Sequence, residues 1–386
     1  MHCRKVLYLP KRCSSLWTRF SNSPKLFVVE ADLNFDQKFS DLSSLEANLK
    51  ARGRPYDHLS HLRNSYEHWK ELIKEFDASR DAKQDQTEIR QLSWVVDQCL
   101  SLPNDLSPST PLRDTVSSVQ DHFPNLDLFS AEGLLERLSA PANTVLLDRA
   151  AELQTSLNSF FLDYFADLQF DLISPPHLVR TAFIEGCGLD PEHFPRVRHN
   201  AATHQATEHL VGISLPSMFA CFTRKAFSVK TVFPVRLYIV GASYRVAIRR
   251  SNRTSDAPQF AQFVALVFGR DEAELRRTES ELICRLEEAF QVLTLPTRRM
   301  QISAAGLDFN ERARVELRCE AGPKVASISD LGDFVSRRLR VCYAPDSKYV
   351  HCAFATVDLT GVLAILLRQA DGIEKLLELF RGVRIL

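Results

Sequence analysis

Apolar positions recur every three or four residues over 59–99. Leu59, Leu62, Tyr66, Trp69, Ile73 and Phe76 form a first run, and Ile89, Leu92, Val96 and Cys99 a second. The polar stretch Asp81-Ala82-Lys83-Gln84-Asp85 separates them. This spacing keeps one helix face apolar, so the two runs predict an antiparallel helical hairpin. On the other faces Glu67, Lys70, Glu71, Lys74 and Glu75 alternate in sign, which reads as a solvated surface rather than a phosphate-binding ridge. Residues 103–111, with three prolines, read as a linker.

Beyond the linker the pattern changes. A helical stripe covers 148–168 through Ala150, Leu153, Leu157, Phe160, Phe161, Tyr164 and Phe165. Short strands are predicted at 170–173, 233–240, 244–249 and 260–268, then a charged helix over 271–293 that stops before Pro296. Strands at 314–319 and 337–343 and a last helix near 373–381 follow; Val362–Leu367 is at most a core helix. Strands at irregular intervals, with helices grouped between them, predict an α+β fold with a mostly antiparallel sheet. The expected organisation is a leader at 1–25, a hairpin arm over 26–102, the linker, and one large unit over 112–386.

Charge adds a location. Lys+Arg and Asp+Glu both number 48, yet the first acidic residue is Glu30. Arg4, Lys5, Lys11, Arg12, Arg19 and Lys25 precede it among serines, the composition of a mitochondrial transit peptide, and a matrix location is expected. Cleavage near Arg19-Phe20-Ser21 leaves 43 basic against 48 acidic residues. A mildly acidic chain is a poor general nucleic-acid binder, although a local patch can still act. Arg249, Arg250 and Arg253 form the best such patch for RNA.

Other chemistry finds little support. Cys99, Cys187, Cys221, Cys284, Cys319, Cys342 and Cys352 form no CxxC pair and no zinc spacing, so buried free thiols are expected and no metal. His199, His204 and His209 are spaced by five, about 140° apart on a helix, and share no face. Gly186-Cys187-Gly188 lacks the continuation of a phosphate loop. No apolar run reaches the roughly 18 residues that span a membrane.

A series of segments, in order, resembles the class II seryl-tRNA synthetases. Leu45-Glu46-Ala47-Asn48-Leu49-Lys50-Ala51-Arg52-Gly53 is similar to the family's first helix and its R-x-G turn, and 57–101 to its protruding arm, shortened. Leu102-Pro103-Asn104 with Pro111 is similar to the linker after that arm. Residues 156–179, from Ser156-Leu157-Asn158 to Pro175-Pro176-His177-Leu178-Val179, resemble class II motif 1. Residues 208–263 resemble the substrate strand and the motif 2 hairpin, and 328–339 the family's D-F-Q-x-R-R segment. The resemblance covers about 36–386.

It implies an enzyme that activates serine with Mg²⁺-ATP, but this chain departs from the pattern where that chemistry is done. The substrate-ammonium Thr and Glu fall on Ile213 and Leu215. The motif 2 arginine is kept as Arg245, while the Glu after it is Ala247. The later R-x-H-Q-F falls on Gln259-Phe260-Ala261-Gln262-Phe263, and the following acid on Val267. The motif 3 arginine falls on Thr360, across a two-residue deletion, and the next Glu on Leu367. Glu316 keeps one acid of the ATP–Mg²⁺ cluster. Two apolar groups leave an ammonium desolvated and unpaired, and one carboxylate holds Mg²⁺-ATP poorly.

These losses imply a non-catalytic paralogue, with ATP and Mg²⁺ binding gone and Arg245 left as a structural partner. The combination resembles the seryl-tRNA synthetase-like insect mitochondrial proteins, a family of non-aminoacylating paralogues that associate with the mitochondrial enzyme. Partners expected are the mitochondrial seryl-tRNA synthetase, through a motif 1 interface of Leu153, Leu157, Phe160, Phe161, Pro175 and Pro176, and mitochondrial tRNA-Ser or other RNA, with no membrane. The alternatives are a stand-alone mitochondrial RNA-binding protein and a synthetase-fold ligase for another substrate.

Overall fold

The computed structural model describes residues 32–78, 93–112, 135–137, 144–197, 207–246, 257–319 and 322–369, with Leu377, Glu378 and Phe380. The expected leader, residues 1–25, lies outside them, as does the RNA patch of Arg249, Arg250 and Arg253.

Among the described residues four helices come first: α1 (Phe35–Ser40), α2 (Leu42–Ala51), α3 (Leu59–Ala78) and α4 (Ser93–Leu100). The Asp41 carboxylate accepts from Ser44 N at 3.0 Å and caps α2. Gly53, at φ 65°, turns the chain out of it. Leu59 and Leu62 of α3 and Val95 and Cys99 of α4 bury their side chains together with Phe35, Phe39, Leu45 and Leu49. The stripe read from periodicity is the buried face where it is described, with Tyr66 half-buried at its margin: Leu59, Leu62, Trp69, Val96 and Cys99 are buried. Ile89 and Leu92, and the side chains of Ile73 and Phe76, lie outside the described residues.

The proline-rich stretch after α4 is held down rather than loose. Asn104, 6% exposed, donates to the carbonyls of Asn310 at 2.8 Å and Leu331 at 2.9 Å. Its own carbonyl accepts from Asn48 and Arg52 at 3.0 and 3.1 Å. Thr110 donates to the Arg312 carbonyl at 2.7 Å. Composition signals the absence of regular structure here, not the hydrogen bonds that fix it.

The rest runs as follows. A small hairpin, β1 (Leu135–Arg137) with β2 (Thr144–Leu146), leads into α5 (Asp148–Asp167) and β3 (Asp171–Leu172). Next come β4 (Leu178–Arg180), α6 (Thr181–Gly186), β5 (Arg196–Val197) and β6 (Glu208–Leu210), whose strands form one three-stranded sheet. Then come α7 (Leu215–Ala220), β7 (Ala226–Phe227), the long hairpin β8 (Val235–Tyr244) and β9 (Gln259–Gly269), α8 (Glu272–Val292), β10 (Thr297–Gln301), β11 (Ala313–Cys319) and β12 (Lys324–Gly332). The last elements are α9 (Phe334–Leu339), β13 (Cys342–Tyr343), β14 (Lys348–Tyr349), β15 (His351–Asp358) and α10 (Leu359–Gln369).

Seven strands make the main sheet, in the order β10-β11-β12-β15-β9-β8-β3. Every neighbouring pair is antiparallel except β3 with β8. Strand alternation sends successive side chains to opposite faces. Phe263, Ala265 and Val267 of β9 enter a core with Leu153, Phe161 and Phe165 of α5, Leu282 and Leu286 of α8, and Val362 and Leu366 of α10. Val264, Leu266 and Phe268 face the other way, onto Met218 and Phe219 of α7 and Phe334 and Val335 of α9. The fold is α+β with a mostly antiparallel sheet, as the strand pattern predicts.

Two expectations are corrected. Residues 337–343 do not form a strand: α9 occupies Phe334–Leu339, and only Cys342–Tyr343 extend. Arg337 pairs with Asp333 one turn back at 2.7 Å, and Arg340 in the left-handed region (φ 58°) closes the helix. The second correction concerns the motif 1 stripe. Leu153, Leu157 and Phe161 are 0% exposed and Phe160 6%, covered by this chain's own α8, α10 and β9, so they offer no surface to a partner. Pro175 is buried as well, and Pro176 is exposed.

Candidate functional site

The face of the sheet under α7 carries the residues aligned with synthetase chemistry. Gly212 begins it. At φ 61° its backbone lies so close to β8 that a Cβ would stand 2.2 Å from the Ala242 carbonyl oxygen. This close approach lets Ile213 N donate to Ala242 O at 3.0 Å and Ser243 Oγ donate to Ile213 O at 2.6 Å. The loop is thereby stitched across β8, and Ile213 projects beside the bare backbone of Gly241.

Ile213 is 1% exposed and Leu215 5%. Both belong to a continuous apolar cluster with Met218, Phe219, Leu237, Leu266 and Leu331. Polar groups on that loop are two hydroxyls: Ser217 accepts from Ser214 N and donates to Ser214 O, each at 2.8 Å, and so serves the start of α7, and the Ser214 hydroxyl is buried. An ammonium placed here would lose its water with no carboxylate on the loop to replace it.

Arg245 stands at the end of β8. Its Nε donates to the Ala257 carbonyl at 2.9 Å, and its guanidinium lies 3.8 Å from the ring centre of Phe260. Those contacts tie the two legs of the hairpin together, with the guanidinium stacked on its own chain's aromatic ring. Ala247 lies outside the described residues. Asp358, at the end of β15, accepts from Gly361 N at 2.8 Å. Burial pushes its carboxyl above the usual carboxylate range, against the opposing field of Arg245.

Thr360 follows at the start of α10, and its Oγ1 accepts from Ala261 N at 2.9 Å. A hydroxyl thus joins the motif 3 helix to the motif 2 strand, which no reading of the sequence anticipates.

Glu316, 3% exposed, is brought to β11 on the same face. Arg318 holds it with Nη2 at 2.6 Å and Nε at 3.0 Å. Arg314 and Lys324 approach it at 3.5 and 3.7 Å. Three cations around one carboxylate are the reverse of a Mg²⁺ site, which needs convergent oxygens and little positive charge. Among the described residues no group of three or more His, Cys, Asp or Glu could hold a metal ion. These side chains do not fit a Mg²⁺-ATP complex, and no chemical step is derived through one. Lys324 escapes a reading of the sequence because it meets Glu316 only through the β11–β12 register, where it opposes Arg318, whereas Arg318 stands two residues along the same strand and so on the same face.

Val267 is a correction. It pairs with Arg236 and Ala353 and is 0% exposed on the face of α5, α8 and α10, opposite to Ser243 and Phe260. A side chain at 267 cannot reach the site; Gln262, Val264 and Leu266 are the residues of β9 that face it.

No protein-family model matches the chain. It is 24% identical over 327 residues to the serine–tRNA ligase of Cenarchaeum symbiosum, covering 78% of this chain and 77% of that protein. It is 24% identical over 204 residues to the enzyme of Symbiobacterium thermophilum, where the match spans 50% of this chain and 47% of the relative. With the mitochondrial serine–tRNA ligase of Mus musculus the identity is 25% over 312 residues, 71% of this chain and 60% of that one. Among solved structures, cytoplasmic serine–tRNA ligase from Naegleria fowleri in complex with AMP superposes with a TM-score of 0.74 at 15% identity, covering 91% of this chain and 97% of the other. Seryl-tRNA synthetase from Pyrococcus horikoshii complexed with ATP gives 0.68 at 16%, covering 86% and 93%. The chain therefore has the fold of a class II seryl-tRNA synthetase, and its relatives in sequence, mitochondrial enzymes among them, are serine–tRNA ligases at low identity.

Proposed function

We propose that this chain does not activate serine and acts as a non-catalytic subunit of mitochondrial seryl-tRNA synthetase. The observation that carries the reading is the burial of Ile213 and Leu215, 1% and 5% exposed, in an apolar cluster at the substrate-ammonium positions. The engagement of Arg245 by Ala257 and Phe260, and of Glu316 by three cations, supports the loss of ATP and Mg²⁺ binding. A fold shared with active ligases does not carry their activity with it, because activity belongs to the site. Competing with this reading is ligase activity itself, which all the named relatives suggest.

Association with the synthetase rests on the kept fold and on what its edge exposes. Among the described residues β3 ends the main sheet, with Leu172 61% exposed on it and Leu178 46% exposed on nearby β4. An open strand edge with exposed leucines is a surface that a partner strand can extend. The basic start of the chain and the mitochondrial relatives support a matrix location. Co-expression with the mitochondrial synthetase of the same organism, followed by native mass measurement, tests the pairing. A one-to-one complex that charges tRNA faster than the synthetase alone supports it; two separate species overturn it.

A further inference from the structure

A cavity of about 560 Å³ opens where the N-terminal helices meet the sheet-bearing part of the chain. Gly188, at φ 72°, brings the turn after α6 against its inner wall, where a Cβ would stand 2.9 Å from Phe334 and 3.1 Å from Phe309. Only a glycine permits that approach. The space falls in the range of small-molecule sites, roughly 300–1,000 Å³.

Arg338 of α9 lines it. This residue is 6% exposed, with its guanidinium 4.1 Å from the ring centre of Phe334 and 5.6 Å from that of Phe309. Its hydrogen bond is a long one, from Nη2 to the Leu100 carbonyl at 3.5 Å. No carboxylate pairs with it among the described residues. Its neighbours are served differently: Arg337 pairs with Asp333 at 2.7 Å and with Asp32 at 3.5 Å. Buried Arg52 bonds the carbonyls of Asp308 and Glu311 at 3.0 and 2.6 Å. A guanidinium carries five donors and keeps its charge, so leaving it buried with one weak bond is costly unless an oxyanion completes it. Burial accordingly lowers its pKa to about 10, with no carboxylate acting against that fall.

The lining also carries the opposite charge. Asp97, Glu185, Asp190 and Asp308 line the cavity, and Arg54 stands at the Phe309 side, 5.8 Å from the ring centre. Four carboxylates with the guanidiniums of Arg338 and Arg54 repel a polyanion and suit a molecule with an acid at one end and a cation at the other. We propose that this cavity binds a small zwitterion, its acid group on Arg338 and its ammonium toward the carboxylates. Neither Ile213 nor Arg245 lines the cavity, although α9 packs on the same apolar cluster as Ile213, and the proposal does not depend on the subunit reading above. Because its walls come from α4, α6 and α9 alike, an occupant also fastens the N-terminal helices to the rest of the chain.

The test is thermal unfolding of the purified full chain titrated with β-alanine, with phosphoethanolamine, and with acetate, which lacks the ammonium. A saturable rise in Tm with one zwitterion but not with acetate is expected, and the better of the two tells a carboxylate from a phosphate. Arg338→Met should weaken that binding by about tenfold or more, the consequence of removing one partner of a buried charge pair. Should that variant not fold, hydrogen exchange of the unaltered chain serves: protection on adding the zwitterion is expected at 97–101 and 185–193. No saturable shift with either zwitterion, acetate binding as well as they do, or protection confined to other segments would overturn the proposal.

Discussion

Ile213 and Leu215 are apolar where the synthetase pattern has Thr and Glu, and their surroundings are apolar as well. Met218, Phe219, Leu237 and Leu266 offer nothing to a charge. Leu215→Glu therefore buries a carboxylate without a partner and should cost about 3 kcal/mol or more. Ile213→Ala should cost about 2–5 kcal/mol through the cavity it leaves. Urea unfolding reads both, and an unchanged midpoint for Leu215→Glu would mean the loop is open to water. Thr360 carries a smaller weight: Thr360→Val leaves Ala261 N without its 2.9 Å acceptor, at a cost of about 1–3 kcal/mol. An equally stable Thr360→Val variant would remove the hydroxyl from the account of how α10 holds β9.

At the scale of elements, α8 lies across the back of the sheet, and the first half of that contact is polar. Glu279 sits there near Asp330, with Arg276 and Arg312 opposing. Burial first, and Asp330 second, push its carboxyl up to about 8 from an ordinary 4.5. The folded chain therefore keeps a proton that the unfolded chain releases near pH 4.5. This contribution to stability is fully present below about 4.5 and is lost as pH rises through about 8. Glu279→Gln should flatten that part of the profile, measured as urea midpoints across the window; a slope unchanged by the substitution would contradict the raised carboxyl of this half-buried side chain.

What the chain's pattern discloses also sorts by element. The helices α5 and α8 and the hairpin β8–β9 are legible because each shows one buried face or a long apolar run. β12 and β15 escape the reading. They are inner strands covered on both faces, so Val325, Ala326 and Ile328, or Ala353 and Ala355, give no polar alternation to recognise. The site is legible in part. Ile213, Leu215, Arg245, Glu316 and Thr360 all reach the expected face or its rim, because the order of segments suffices to place them. Val267 does not, since a shift of one residue in a strand moves a side chain to the other face. One partner of Glu316 is hidden for a related reason: Lys324 reaches it only across the turn between β11 and β12, while Arg314 and Arg318 flank it at i±2 on its own strand.

The whole molecule keeps a synthetase's frame while its site-bearing face is closed by its own side chains. Leu172 and Leu178 remain exposed beside the open edge at β3. A Leu172→Lys substitution there should leave the isolated chain folded, because the side chain is 61% exposed, and should break the complex with the mitochondrial synthetase. Native mass of the co-expressed pair reads this, and an intact complex would move the interface elsewhere. The central claim is that the closed face activates nothing. Serine-dependent ATP–pyrophosphate exchange by the purified chain tests it most directly. The account predicts no exchange above that of buffer alone at any serine concentration; saturable exchange with serine would contradict it and return the chain to the ligases it resembles.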